Sequence, residues 1–404
     1  MTTSPRAAAP PDVPGTPTDD LLGPVKLGPI TLRNRVIKAA TFEGLTPKGR
    51  VSDELIEFHR RPARGGVGMT TVAYCAVDKD GRTSPGQITW DDEAMPGLRT
   101  LTDAIHDEGA AISAQIGHAG PVASAKYNHA PALAPSRQFR LTTQSFARRA
   151  SSADLDRIVE RHVRAANRAI EAGFDAIELH FGHNYFVSSF LSPRTNRRRD
   201  EYGGSLENRA RLARRVGRAV RDSVGDRIAI LAKLGMDDGV RGGFWVDEAI
   251  QVAQWLEADG TVDALELTAG SSLLNPMYLF KGDAPLREFA AVMPQPTKLG
   301  VQLFGKHFLR EYPYRDAYLL EDARQIRAAV TLPLVLLGGI TDRAGIQLAV
   351  DEGFEYVAIA RALLREPDLV EQIRRGDHRS GLCIHCNKCM TAIYGGTHCV
   401  LRTS

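Results

Sequence analysis

No stretch of this sequence approaches the roughly 18 to 20 consecutive apolar residues that a membrane-spanning helix needs. The first twenty residues, rich in Pro, Thr and Ala, also lack the apolar core of a secretory signal. These absences point to a soluble, cytoplasmic protein with a disordered tail over residues 1–20. Strong charge of either sign is missing too. The 51 Lys and Arg against 48 Asp and Glu leave a formal +3, which argues against binding nucleic acid or another polyanion through bulk charge. A small-molecule substrate is expected, with no membrane partner, and the sequence leaves a monomer and a homo-oligomer both open. Cysteine is scarce, five in 404 residues, and four of them crowd into residues 383–399. A secreted disulfide framework would spread them, whereas clustering in a reducing compartment points to metal. No GxGxxG follows an early strand candidate, which argues against an open dinucleotide-binding sheet.

What the sequence does hold is a rhythm. Short apolar runs at 35–39, 67–73, 111–115, 175–179, 227–233, 262–268, 332–337 and 356–360 alternate with segments of helical period. Leu155, Ile158, Val159, Val163, Ala166 and Ile170 recur three and four residues apart, which sets one apolar stripe against a sheet, and Gly173 closes that helix. Leu212, Val216 and Val220, and then Ala249, Ile250, Ala253 and Leu256, repeat the pattern. Eight such units predict an α/β fold, a (β/α)8 TIM barrel spanning 21–376. Two segments exceed ordinary connections: a long insertion after strand 6, residues 269–314, expected to cover the barrel mouth, and a Cys-rich C-terminal extension, residues 377–404.

In such a barrel the working residues emerge at the carboxyl ends of strands. Strand four runs into His180, His183 and Tyr185. Two imidazoles can donate to a carbonyl or anionic oxygen, and a phenol nearby can deliver a proton. The alternatives are structural capping histidines, or zinc, for which a third ligand and helical spacing are missing. Strand three delivers Gln115 and strand five Lys233, a fixed positive charge suited to an anionic ring such as a reduced flavin. Strands seven and eight end at Gly338 and Gly339 and at Arg361, a backbone cradle and a guanidinium fit for a phosphate.

Taken in order, these residues resemble the Old Yellow Enzyme family of FMN-dependent ene-reductases, the NADH:flavin oxidoreductases. The resemblance runs from residues 32–36, LRNRV, through strand eight and its helix. Its most specific part is HFGHNYFVSSFLSPRTNRRRDEYGGSLENR at 180–209. It implies FMN across the barrel mouth, with Ala40 and Thr41 at the first strand end, Gln115 on the pyrimidine edge and Lys233 near N1 and O2. His180 would lie beside the ring, and Gly338, Gly339, Ala360 and Arg361 would hold the phosphate. It further implies NAD(P)H as reductant, His180 and His183 on the carbonyl or nitro oxygen of an activated alkene, and Tyr185 as proton donor. Departures occur at the first strand end, where Ala39, Ala40, Thr41, Phe42 and Glu43 stand, and at Tyr74, Cys75 and Ala360.

Cys383, Cys386, Cys389 and Cys399 follow a C-x2-C-x2-C-x9-C spacing. Four thiolates so spaced can hold an iron-sulfur cluster or zinc. The segment is similar to the one that binds a [4Fe-4S] cluster in 2,4-dienoyl-CoA reductase and trimethylamine dehydrogenase, with a shorter final gap. Two other functions share the scaffold: an amine dehydrogenase or demethylase, and a flavoprotein subunit that takes electrons from a partner.

Overall fold

The structure, a computed structural model, describes residues 21–140, 145–292, 298, 299, 305, 309–376, 380–393 and 395–402. The expected N-terminal tail and several residues of the 269–314 insertion lie outside these.

Eight parallel strands close into one barrel: β1 (Val36–Phe42), β2 (Met69–Ala76), β3 (Ala111–Gly117), β4 (Ala176–Phe181), β5 (Ala229–Gly235), β6 (Ala264–Thr268), β7 (Leu334–Leu337) and β8 (Tyr356–Ile359). Each pairs with its sequence neighbour, and β8 returns to β1 through Val357 opposite Val36. All eight strands expected from the apolar runs are present. Around them run α1 (Asp53–Arg64), α2 (Met95–His106), α3 (Ser152–Glu171), α4 (Leu206–Val224), α5 (Val246–Ala258), α6 (Leu320–Arg327), α7 (Arg343–Asp351) and α8 (Leu369–Arg374). No described helix is long and apolar enough to cross a membrane.

Local chemistry sets the helix limits. The Ser151 side chain accepts from the Asp154 amide while the Asp154 carboxylate accepts from the Ser151 amide, a reciprocal cap that fixes the start of α3. The helix stops at Glu171, and Gly173 follows at φ +87°, a left-handed conformation that glycine adopts without steric cost. Between them Leu155, Ile158, Ala165, Ala166 and Ala169 are buried against the barrel.

Alternation along the strands sorts side chains inside from outside. On β4, Ile177, Leu179 and Phe181 join the large core under the helices, while Ala176 faces the barrel axis. The axis fills in layers. At the amino end, Leu27 and Leu32 from a β-hairpin pack with Ile37, Met69, Leu231, Val335 and Tyr356 and plug the barrel. Above them the lining turns polar at Gln115, Glu178, Lys233 and Glu266, all buried. Register shifts in β1 between Lys38 and Thr41, and in β2 between Val72 and Cys75, re-aim the last residues of both strands.

The segment after α8 straps across the carboxyl end of the barrel. The Thr397 amide donates to Glu43 O at 2.7 Å, and its hydroxyl donates to Phe42 O at 2.5 Å. The Asn387 amide group donates to Phe280 O and Asp283 O, both at 2.9 Å, so the strap grips the connection that follows β6.

Candidate active site

At the end of β4 the chain turns through two successive non-glycine residues in the left-handed region, His183 at φ +61° and Asn184 at φ +54°. Such backbone is costly and persists only where its surroundings over-determine it. Here they do. Asn184 Nδ2 donates to Asp238 Oδ1 at 3.0 Å, and the Ser271 hydroxyl bonds Asn184 Oδ1. The Ser272 amide donates to His183 O at 3.1 Å, and the Ser188 hydroxyl to Gly182 O at 2.5 Å. The consequence is a fixed pair of imidazoles, with ring centroids 5.1 Å apart and planes at 88°.

Each ring has one nitrogen already engaged. His180 Nδ1 accepts from the Gly182 amide at 3.3 Å, which puts the proton of the neutral ring on Nε2 and leaves that N–H as a donor. His183 Nε2 lies 3.0 Å from Thr268 Oγ1, which leaves Nδ1. The Tyr185 ring stands 4.5 Å from His180, and Tyr74 meets Tyr185 edge-on at 5.3 Å. The three residues expected at the end of strand four are therefore one wall, with Tyr74 narrowing it. Ala40 packs in the same cluster as Tyr74 and Tyr185. Thr41 Oγ1 accepts from Lys38 Nζ at 2.8 Å.

Both imidazoles are neutral. Burial, then the neighbouring His183 and the Lys233 cation, hold His180 well below the usual histidine range, and burial followed by Lys233 lowers His183 to about 3. Because these folded values lie below the unfolded one, both residues favour the fold above about pH 6.5 and withdraw that support as pH falls. A neutral donor pair should bind phenol with an affinity that is flat between about pH 5 and 8. Titrating the FMN-loaded protein with phenol at several pH values checks this, and a break near 6.5 would contradict it.

Beneath this wall lies a layer that the sequence showed only in part. Lys233, expected as a lone positive charge, sits between two carboxylates: Nζ is 3.0 and 3.2 Å from the Glu178 oxygens and bonds Glu266 Oε1 as well. Gln115 Nε2 donates to Glu178 Oε1 at 2.5 Å. Burial opposes the Lys233 charge, but Glu178 and Glu266 outweigh it and raise its pKa. Burial and the charge of Glu178 push Glu266 well above the usual carboxylate range, and its Oε2 has no partner among the described residues. Glu178 and Glu266 escaped the sequence reading although a signal existed. Each is an acid inside an otherwise apolar strand, two positions before an inward-facing residue at the rim, in the parallel runs 175–180 (DAIELH) and 263–268 (DALELT).

Across the mouth, Gly338, Gly339, Thr341, Ala360 and Arg361 line a cavity beside Tyr318. Gly338 and Gly339 have φ of +97° and +81°, and a Cβ on Gly339 would come within 2.7 Å of the Ala317 amide nitrogen. Only glycine leaves this backbone open to a phosphate, so the residues present fit FMN. Arg361 Nη1 is tied to Lys281 O at 2.9 Å and to Asn387 Oδ1. Asn387, unmarked in the sequence reading, thus joins the strap to the cradle. His385 also borders the cradle, stacked on Tyr314 with centroids 3.3 Å apart.

Cys383, Cys386, Cys389 and Cys399 are free thiols that line one pocket, with Arg361 at its edge. Burial raises the pKa of Cys383 and takes Cys389 to about 11. Among the described residues, no three His, Cys, Asp or Glu side chains are arranged as a ready metal site.

The family model for the NADH:flavin oxidoreductase / NADH oxidase family matches residues 20–271. The 4,4'-dithiodibutanoate disulfide reductase of Rhodococcus erythropolis is 52% identical over 386 residues, covering 96% of each chain. A metal reductase of Desulforamulus reducens is 32% identical over 93% of this chain, which spans only 52% of that protein. Among solved structures, histamine dehydrogenase from Rhizobium sp. 4-9 superposes with a TM-score of 0.73 at 26% identity, over 89% of this chain and 48% of its own. The model match, the 52% identity and the cradle opposite a histidine wall lead to one conclusion: the chain belongs to the NADH:flavin oxidoreductase / NADH oxidase family and is an FMN-dependent oxidoreductase.

Proposed function

We propose that this protein passes electrons from NAD(P)H through FMN to a small organic acceptor, and that the bond reduced is the S–S bond of a dithio-dicarboxylate. The observation that carries this reading is the identity of 52% over 96% of both chains with the Rhodococcus disulfide reductase. In this reading Gly338, Gly339, Ala360 and Arg361 hold the FMN phosphate, Gln115 meets the pyrimidine edge, Lys233 lies toward N1 and O2, and Ala40 and Thr41 border the ring. Bound FMN supplies a hydride equivalent at N5 once NAD(P)H has reduced it.

The chain's own residues do the rest. Disulfide cleavage delivers two electrons and a proton to one sulfur and expels the other as a thiolate. In this reading the second ring nitrogens of His180 and His183 donate to the sulfur where that negative charge develops, and such donors stabilise the transition state more than the uncharged ground state. Tyr185 gives the second proton and recovers it from solvent, so one disulfide and one NAD(P)H with a proton yield two thiols. Tyr74 and Tyr185 keep water from the reacting atoms.

A second acceptor is favoured by the wall itself. Two neutral imidazoles and a phenol suit an alkene conjugated to a carbonyl or nitro group, since the enolate-like charge falls on an oxygen they can bond. As a further part of the reading, the four thiols support a [4Fe-4S] cluster, which requires their loop to close around it. No step above passes through a cluster, and iron and sulfide content of anaerobically purified protein tests for one. For the main reading, anaerobic protein is bleached with NADH or NADPH and then given the disulfide or cyclohexenone, and oxidised protein is separately given an alkylamine. Recolouring by the disulfide with release of thiols is expected. Recolouring by cyclohexenone alone would transfer the function to the alkene, bleaching of oxidised protein by the amine would indicate amine oxidation, and failure of both nicotinamides would indicate a partner-supplied flavoprotein.

A further inference from the structure

A further cavity lies outside the barrel, between α1 and the C-terminal strap, with a volume of about 300 Å³. Its deepest polar group is Lys38. On β1 the neighbours of Lys38, Ile37 and Ala39, face the barrel axis, so Lys38 faces outward, and it is only 1% exposed. Its Nζ donates to Thr41 Oγ1 at 2.8 Å and lies 4.8 Å from the centre of the Phe58 ring. Among the described residues it forms no ion pair. The Glu43 carboxylate supplies a counter-charge nearby without an ion-pair contact, since it accepts from the Ala73 amide at 2.8 Å and stands 3.2 Å from His59 Nε2.

An ammonium buried with no carboxylate in contact is costly, and burial outweighs the charges of Glu43 and Glu266 and lowers its pKa to about 8, so it remains mostly charged at neutral pH. The cavity around it is amphipathic. Phe58, Pro62, Leu363 and Pro367 supply apolar walls, and Arg61 and Arg402 stand exposed at the rim. Arg61 spends part of its charge on Glu57 at 3.1 Å, leaving Arg402 as the main rim cation.

We propose that this cavity is a binding site for a small carboxylate with an apolar body, whose charged end pairs with Lys38 and whose chain lies against Phe58, Pro62 and Leu363. The site is separate from the histidine wall, since Lys38 and the wall lie on opposite faces of the barrel strands. It is linked to the flavin side through the Lys38–Thr41 hydrogen bond: a carboxylate that draws Nζ away frees the Thr41 hydroxyl at the end of β1.

The test is calorimetry of the FMN-loaded full chain with hexanoate, and with hexanamide as the uncharged control. Saturable hexanoate binding without hexanamide binding is expected, retained when His180 and His183 are both alanine. Lys38→Met should weaken it at least about tenfold, as loss of a charge-assisted hydrogen bond does. If that variant does not fold, the surface change Arg402→Glu carries the test, with several-fold weaker binding expected. The proposal is overturned by absence of saturable hexanoate binding, by equal binding of hexanamide, or by loss of binding in the double alanine protein. It is likewise overturned by wild-type affinity in Lys38→Met or, should that not fold, in Arg402→Glu.

Discussion

Replacing His180 and His183 together by alanine is expected to leave FMN bound and to lower turnover with the organic acceptor by about a hundredfold or more, since removal of one preorganised donor typically costs about 10²- to 10³-fold. The size follows from the geometry. Both rings are neutral and fixed, one through the Gly182 amide and one through Thr268, so neither needs reorganising when charge develops in front of it. Reduction of the flavin by NAD(P)H calls on neither ring as a charge-stabilising donor. Stopped-flow separation of the two half-reactions therefore checks the assignment: the loss should fall on reoxidation by the acceptor, and an equal loss in both halves would point to general disorder of the site.

Lys233→Met is expected to be strongly destabilising. It removes the cation that bonds both Glu178 and Glu266 and leaves two buried carboxyl groups facing each other. Breaking a buried ion pair by deleting one partner typically costs about 3–5 kcal/mol. Denaturant unfolding of the apoprotein measures it. Adding Glu266→Gln should recover part of the loss, because a neutral amide then faces Glu178. No recovery would mean that Lys233 is held by packing rather than by its charges. The same layer has a pH consequence. Glu266 has its folded pKa above its unfolded value, so its protonated form supports the fold at acid pH and that support fades as pH rises through the folded value.

The fold was legible because parallel barrel strands are buried on both faces and read as short apolar runs, and all eight appear within a few residues of their expected limits. The rim residues were legible for a related reason: a strand end delivers its side chain to one known edge. What escaped depends on conformation rather than pattern. Nothing in His183 and Asn184 announces two left-handed residues, since neither is glycine; distant partners, among them Asp238 and Ser271, 54 and 87 residues from Asn184, hold that turn. The outward cation at Lys38 escaped because its meaning depends on the strap, which arrives from more than 350 residues later. Asn387 escaped because a polar residue between cysteines looks like spacer until its side chain is seen gripping Phe280, Asp283 and Arg361.

The most direct measurement is a single turnover. Protein reduced anaerobically with one equivalent of nicotinamide is mixed with 4,4'-dithiodibutanoate, and flavin absorbance and free thiol are followed together. Full recolouring with two thiols released per flavin is the predicted result. A flavin that stays bleached until oxygen is admitted, with no thiol formed, would contradict it.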